Sequence, residues 1–307
     1  MGAIDKWVSE ASADTPTGKV AQRALELRFR DVIHFLPLAA HLADEDMEYV
    51  HQARVATRRA AAALAMFRAF VPPAKCKQMK AMLKQFRKSM DEARDLDVYL
   101  ERFGAAEEPA AGSLYDRLEH RRREVQMPII QCASPLLYNE KFRRRAARLV
   151  SKVKKHARKR LRREPFGQWA TERLQQAWAR FQSAVPGDQP TADELHAFRI
   201  EIKRFRYALE LLRNGLPGAA RKQIYPQVKQ LQAQLGEIQD HAVAADKLAA
   251  WRAEAESDAE CELLQRYERD EREQYRGKSE AFLHWWRRDR LDELAAQVES
   301  LWSVTQR

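Results

Sequence analysis

Two stretches of the chain carry ionisable side chains at spacings that set them in a line. His51, Arg54 and Arg58 stand at i, i+3 and i+7. His196, Arg199, Lys203 and Arg206 stand at i, i+3, i+7 and i+10, with Glu210 one turn further on. On a helix these offsets fall on a single face. Such a row offers donors and positive charge to an extended anion, Arg gripping phosphate oxygens in pairs and Lys acting as a point charge. Arg59 and Arg204 directly follow Arg58 and Lys203, matching places in the two copies. About 30 residues downstream come paired acids, Glu92/Asp95 and Glu237/Asp240. Carboxylates at i, i+3 can ligate a metal, work as acid and base, or hold the arginines of the rows by ion pairs between adjacent helices. The last is the favoured reading. The chain has no HExxH, no P-loop, no GxGxxG and no His/Cys cluster, so catalysis has no specific signal. The expectation is a binding protein, not an enzyme, with no metal and no cofactor.

The two rows belong to an internal repeat. Shifting His51–Leu100 by 145 residues onto His196–Ala245 makes 15 of 50 positions identical without a gap, where chance gives about three. VHQARVATRR faces LHAFRIEIKR, and KQFRKSMDEARDLDV faces KQLQAQLGEIQDHAV. Ala61 and Ala65 replace Arg206 and Glu210, so the first row is shorter.

The net charge is +11, from 55 Lys+Arg against 44 Asp+Glu. Lys141–Arg163 holds 13 basic residues and no acid, so everything outside it sums to −2. Phe142, Ala146, Leu149, Val150, Val153, Ala157 and Leu161 fall within one arc of about 120°. The segment reads as a single amphipathic helix about 35 Å long. Its cationic face, with Arg143, Arg144, Arg145, Arg148, Lys152, Lys155 and Lys159, has no acid interspersed within the segment to relieve repulsion. An anion or an acidic neighbouring helix must do so.

The elements that position these groups are helical. Only 10 Gly and 12 Pro occur in 307 residues, too few turn residues for most β-rich folds. Residues 1–17 read as a flexible tail. Helices are expected near 18–42, 47–70, 74–103 and 136–164, then 168–184, 191–214, 219–255 and 259–304. A shorter one at 113–126 carries Arg121, Arg122 and Arg123. Breaks are expected near Gly104–Gly112 and Pro128–Pro135, among others. The fold class is all-α, a duplication giving two pseudo-symmetric four-helix bundles, 18–165 and 166–307. In the second, Leu195, Phe198, Ile202, Phe205, Leu209 and Leu212 form an apolar stripe beside the polar row. Trp178, Trp285, Trp286 and Trp302 read as packing residues. Cys76, Cys132 and Cys261 are too few and too scattered for a disulfide framework and fit a reducing cytoplasm. No apolar run is long enough to span a membrane, and the N-terminus lacks a secretory signal.

The H-x-x-R-x-x-x-[RK]-R block, the E-x-x-D block after it and their duplication resemble the CHAD domain, a family named for its histidine-bearing α-helical architecture. VHQARVATRR, DEARDLDVYL, LHAFRIEIKRFRYALELL and LGEIQDHAVA carry the resemblance, from about residue 18 to the end. It implies two helical bundles with basic surfaces lining a groove or pore, binding of inorganic polyphosphate, and a place at cytoplasmic polyphosphate granules in bacteria. Some members are fused to a triphosphate-tunnel domain, whose ExExK signature is absent here. By motif, the implied binding residues are His51, Arg54, Arg58, Arg59, His196, Arg199, Lys203, Arg204 and Arg206. Charge alone adds the Arg143–Arg163 face, Lys84 and Lys229. Rival readings are a nucleic-acid binder, a metal-dependent phosphohydrolase using the acid pairs, and attachment to an acidic membrane surface. The first is weakened by the absence of aromatics at the polar positions of the rows. The last is weakened by an apolar arc of Ala, Val and Leu with one Phe. Nothing in the sequence indicates an oligomeric state.

Overall fold

The computed structural model describes residues 11–103, 109–137, 140–187 and 189–303. Among them there are helices and turns but no strand, and a single bridge joins Pro16 to Pro165. Contacts divide the chain into two compact units, 1–167 and 168–307.

The first unit holds α1 (Thr17–His41), α2 (Glu48–Met66), α3 (Pro73–Ser89), α4 (Asp91–Phe103), α5 (Pro109–Glu124), α6 (Gln126–Leu137), α7 (Lys141–His156) and α8 (Lys159–Arg163). Helix α1 is its spine. It buries Val20, Ala24, Leu25, Phe29, Val32, Phe35 and Leu36 and packs against α2, α6, α7 and α8. Phe142 of α7 is wedged between Phe29 of α1 and Phe86 of α3, with ring centroids 6.0 and 5.6 Å away. Three aromatic rings meeting edge to face fix where α7 lies against the core.

Four expectations for this unit need correcting. The segment 74–103 is two helices, because the chain turns at Met90 and lets α4 pack on α5. Pro128–Pro135 is not a break but lies within α6. Pro128 sits in its first turn, where an amide hydrogen would lack an intrahelical acceptor anyway, and Ile129 and Ala133 are fully buried. The long basic helix is α7 followed by α8, separated by extended backbone at Ala157 and Arg158. That turn folds α8 back over the start of α1. There the Glu164 carbonyl accepts from Thr17 N and Oγ1 at 2.9 and 2.8 Å. Gly18 makes the approach possible, since a Cβ there would stand 3.2 Å from Arg162 Cβ. Residues 11–16, expected in a flexible tail, are also held: the Ala13 and Thr15 carbonyls accept from Gly167 N and Phe166 N. Residues 1–10 and 104–108, parts of the expected tail and of one expected break, lie outside the described residues.

In the second unit lie most of α9 (Phe166–Ser183), then α10 (Ala192–Leu212), α11 (Tyr225–Ala253), α12 (Asp258–Trp285) and α13 (Arg288–Ser303). A turn at Trp286–Arg287 divides the expected last helix in two. Helix α10 starts at a capping box, Thr191 and Glu194 bonding each other's backbone amides, which satisfies two N-terminal donors. Every member of its expected apolar stripe, Leu195 to Leu212, is buried. Phe198 and Phe205 meet Phe181 of α9, and Trp178 stacks on Phe181 at 4.9 Å. Helix α11 packs against α10 on one side and α12 on the other. No helix of the described residues is long and apolar enough to cross a membrane.

Candidate functional site

The row in the second unit lies along the seam between α10 and α11. His196 Nδ1 donates to Gln239 Oε1 at 2.8 Å. Arg199 lies 3.6 Å from Asp240, and Arg206 Nε donates to Gln232 Oε1 at 2.5 Å. These contacts fix an antiparallel register in which Gly236 faces Lys203. Nothing lies within 4 Å of where a Cβ at Gly236 would stand, so α11 is open at that level of the seam. Lys229 continues the α11 edge and is exposed. A pocket of about 360 Å³ next to the seam is lined by His196, Arg199, Gln239, Asp246 and Tyr275, among others.

Arg206 is anchored from below. It pairs with Glu210, itself 1% exposed, and Tyr225 donates to the same carboxylate at 2.8 Å. Burial works against the Arg206 charge, yet Glu210 and the neighbouring tyrosines hold its pKa above the ordinary value. Its guanidinium also lies over the Tyr207 ring at 4.6 Å, a favourable cation–π placement. Asp240 is pushed above the usual aspartate range by burial, although Arg199 and Lys203 work against that rise.

In the first unit the row lies between α2 and α4. Arg54 pairs with Asp91 and also feels Asp95. Burial pushes its pKa down, against the pull of Asp91. Arg58 has no ion-pair partner among the described residues, and its Nε is buried without a hydrogen bond. His51 lies near Arg94 of α4 as well as Arg54 and Arg58. Burial lowers its pKa; Glu48 opposes this, and the three arginines add to it. Arg94 thus joins the row, a member that the repeated motif does not mark. Its counterpart in the repeat is Gln239, so comparing the two copies passes over it.

Two expected members leave the rows. Arg59 is 7% exposed and sits close enough to act on Asp31 of α1; it is part of the interior, not of the anion-facing line. One residue along a helix is a turn of 100°, which carries it off the face of Arg58. Arg204 makes the same turn to the outside, where it is exposed and pairs with Glu201. The acid pairs divide in a way the spacing does not reveal. Asp95 and Asp240 attend the arginines of the rows. Glu92 instead binds Arg121 of α5 at 2.9 Å, and Glu237 binds Lys278 of α12 at 2.8 Å. Among the described residues no three His, Cys, Asp or Glu side chains gather as a metal site would need.

Helix α7 buries Phe142, Ala146, Leu149, Val150 and Val153 and turns Arg143, Arg144, Arg148, Lys152 and Lys155 to solvent. Lys159 on α8 and Lys84 on α3 are also exposed. Glu140 pairs with Arg143 and lies 3.9 Å from Arg144. Among the described residues Arg145, Arg148, Lys152, Lys155 and Lys159 have no acidic partner, so no neighbouring helix supplies the missing negative charge.

A family model described as CHAD domain matches residues 23–249. That span contains both rows, both acid blocks and the basic segment. No curated protein matches the sequence. Among solved structures, the crystal structure of the CHAD domain from the plant Ricinus communis superposes with a TM-score of 0.72 at 18% identity, covering 98% of this chain and 97% of that one. PptA from Streptomyces chartreusis superposes with a TM-score of 0.56 at 19% identity, over 89% of this chain and 99% of the other. At these identities the two structures establish a shared fold.

Proposed function

The chain belongs to the CHAD domain family, and from that premise we propose that it binds inorganic polyphosphate without catalysing a reaction on it. The rows His51–Arg54–Arg58–Arg94 and His196–Arg199–Lys203–Arg206 are the contact lines. The observation that carries the reading is that cationic groups stand in lines at solvent-facing seams with fewer acids than bases beside them, Arg58 having none. A flexible polymer with about one charge per phosphate can follow such a line and displace its own counterions onto it. Held in place by Gln232, Gln239, Glu210 and Asp240, the donors are ordered before the polymer arrives, which lowers the entropy lost on binding. A place at cytoplasmic polyphosphate granules follows from the same reading.

The test is binding of labelled polyphosphate to two double variants, Arg58→Gln/Arg94→Gln and Arg199→Gln/Lys203→Gln. These substitutions spare the buried Arg206–Glu210 pair and so leave the core intact. Weakened binding in both is expected. Wild-type affinity in both removes the rows from the function.

A further inference from the structure

The basic face of α7 is carried by a different helix from the row on α2. Helix α2, which carries the first row, packs against α1, α3 and α4, whereas α7 packs against α1, α3, α6 and the 3-10 turn Arg68–Phe70 that follows α2. Both helices thus lie against α1 and α3. Since α7 buries its apolar stripe inward, its cationic face is turned to solvent.

That face has the features of a binding tract. Lys141, Arg144, Arg145 and Arg148 line an open pocket of about 370 Å³, and no acid lines it. Arg145 is half-buried, and its Nη1 points at the Met82 thioether, 3.2 Å away. Sulfur is a weak acceptor, so a strong donor is spent on a weak partner. From Arg144 through Arg148 and Lys152 to Lys155 the exposed bases run about 16 Å along the helix. Like charges at i, i+4 without an intervening acid destabilise a helix. Here Glu140 offsets the repulsion at the first turn alone, and among the described residues no acid pairs with Arg145, Arg148, Lys152 or Lys155. A chain of linked phosphates complements such a track in charge and in shape, because each phosphate can meet a successive base.

We infer that α7 is a phosphate-polymer tract additional to the rows and independent of the one on α2, and that one molecule therefore bridges two polyphosphate chains or two distant segments of one. The inference rests on the polyphosphate reading above and adds a crosslinking activity to it. The experiment is a two-step capture. Protein is bound to polyphosphate immobilised on beads, unbound protein is washed away, and fluorescent polyphosphate is added. The variant is Lys141→Gln/Arg144→Gln/Arg148→Gln, three exposed positions whose loss leaves the core untouched, with helix content checked by circular dichroism. In the first step the variant is expected to stay on the beads within about threefold of wild type, held by the rows. In the second, its capture of the fluorescent chain is expected to fall about tenfold or more. Capture equal to wild type by a variant that is retained in the first step overturns the second tract while leaving the polyphosphate reading standing. Failure of wild type itself to stay on the beads overturns both.

Discussion

Arg54 and Arg58 sit one helical turn apart on the same face, yet their substitution should have different consequences. Arg54 is already committed to Asp91, which is about half exposed, while Arg58 has no acidic partner among the described residues. A hydrogen bond to a charged group contributes about 1.5–3 kcal/mol. At 1.36 kcal/mol per factor of ten, losing one such bond from Arg58 to a phosphate weakens binding about 10- to 150-fold. Arg58→Gln should show that loss in a fluorescence-polarisation titration with labelled polyphosphate at fixed salt. The pair Arg54/Asp91 carries no net charge, so Arg54→Gln/Asp91→Asn removes little that the polymer can use and should cost about threefold or less. Arg54→Gln alone should be worse than the double variant, because it leaves the Asp91 carboxylate facing a polyanion. An Arg58→Gln variant with wild-type affinity, or a double variant as damaged as Arg58→Gln, would refute the reasoning: the first by removing the row, the second by showing that Arg54 leaves Asp91 for the ligand.

Other expectations follow from the same geometry. Glu210→Gln breaks a buried pair and should destabilise the second unit by about 3 kcal/mol, seen as a lower urea midpoint at unchanged m-value. His51 is held below the ordinary histidine pKa by burial and by Arg94, Arg58 and Arg54, against Glu48, whereas a bound polyanion favours its charged form. Binding then takes up a proton, so affinity should rise as pH falls through the pKa of the complex and level off below that of the free protein; His51→Gln should flatten that profile. In the free protein the sign for stability is opposite. The unfolded chain takes the proton first, near pH 6.5, so stability attributable to His51 is lost as pH falls through that region, which thermal melts of wild type and His51→Gln resolve. Neutralising Lys141, Arg144 and Arg148 together should make the slope of log affinity against log salt shallower by about 2, by analogy with single-stranded nucleic acids.

Much of the fold is legible because helical period is a strong signal in this chain. The stripe from Leu195 to Leu212 and the burial of Phe142, Leu149 and Val153 follow from spacing alone. What escapes is set by contacts that spacing does not encode. No glycine or proline marks the turn at Met90; it is made where α4 leaves α3 to pack on α5. The break after His156 arises from the docking of α8 over the start of α1 at Gly18, a meeting of residues more than 140 positions apart. At the site, phase separates Arg58 from the buried Arg59, a distinction that motif matching misses. Arg94 and Asp91 stayed hidden for one shared reason. The repeat has Gln239 and Gly236 in their places, and a comparison of copies finds only what both retain. The partners of Glu92 and Glu237 come from α5 and α12, which carry no motif.

The central claim is selectivity for polyphosphate over other polyanions, and equilibrium competition tests it most directly. Labelled polyphosphate is bound to the intact protein near physiological salt and challenged with DNA, RNA or heparin. Nucleic-acid competitors are matched in phosphate concentration and heparin in charge. Lines of donors whose own positions carry no aromatic side chain, facing a polymer of higher charge density, predict that polyphosphate stays bound under each challenge. Ready displacement by DNA or RNA at equal phosphate would contradict the account and assign the rows to a nucleic acid.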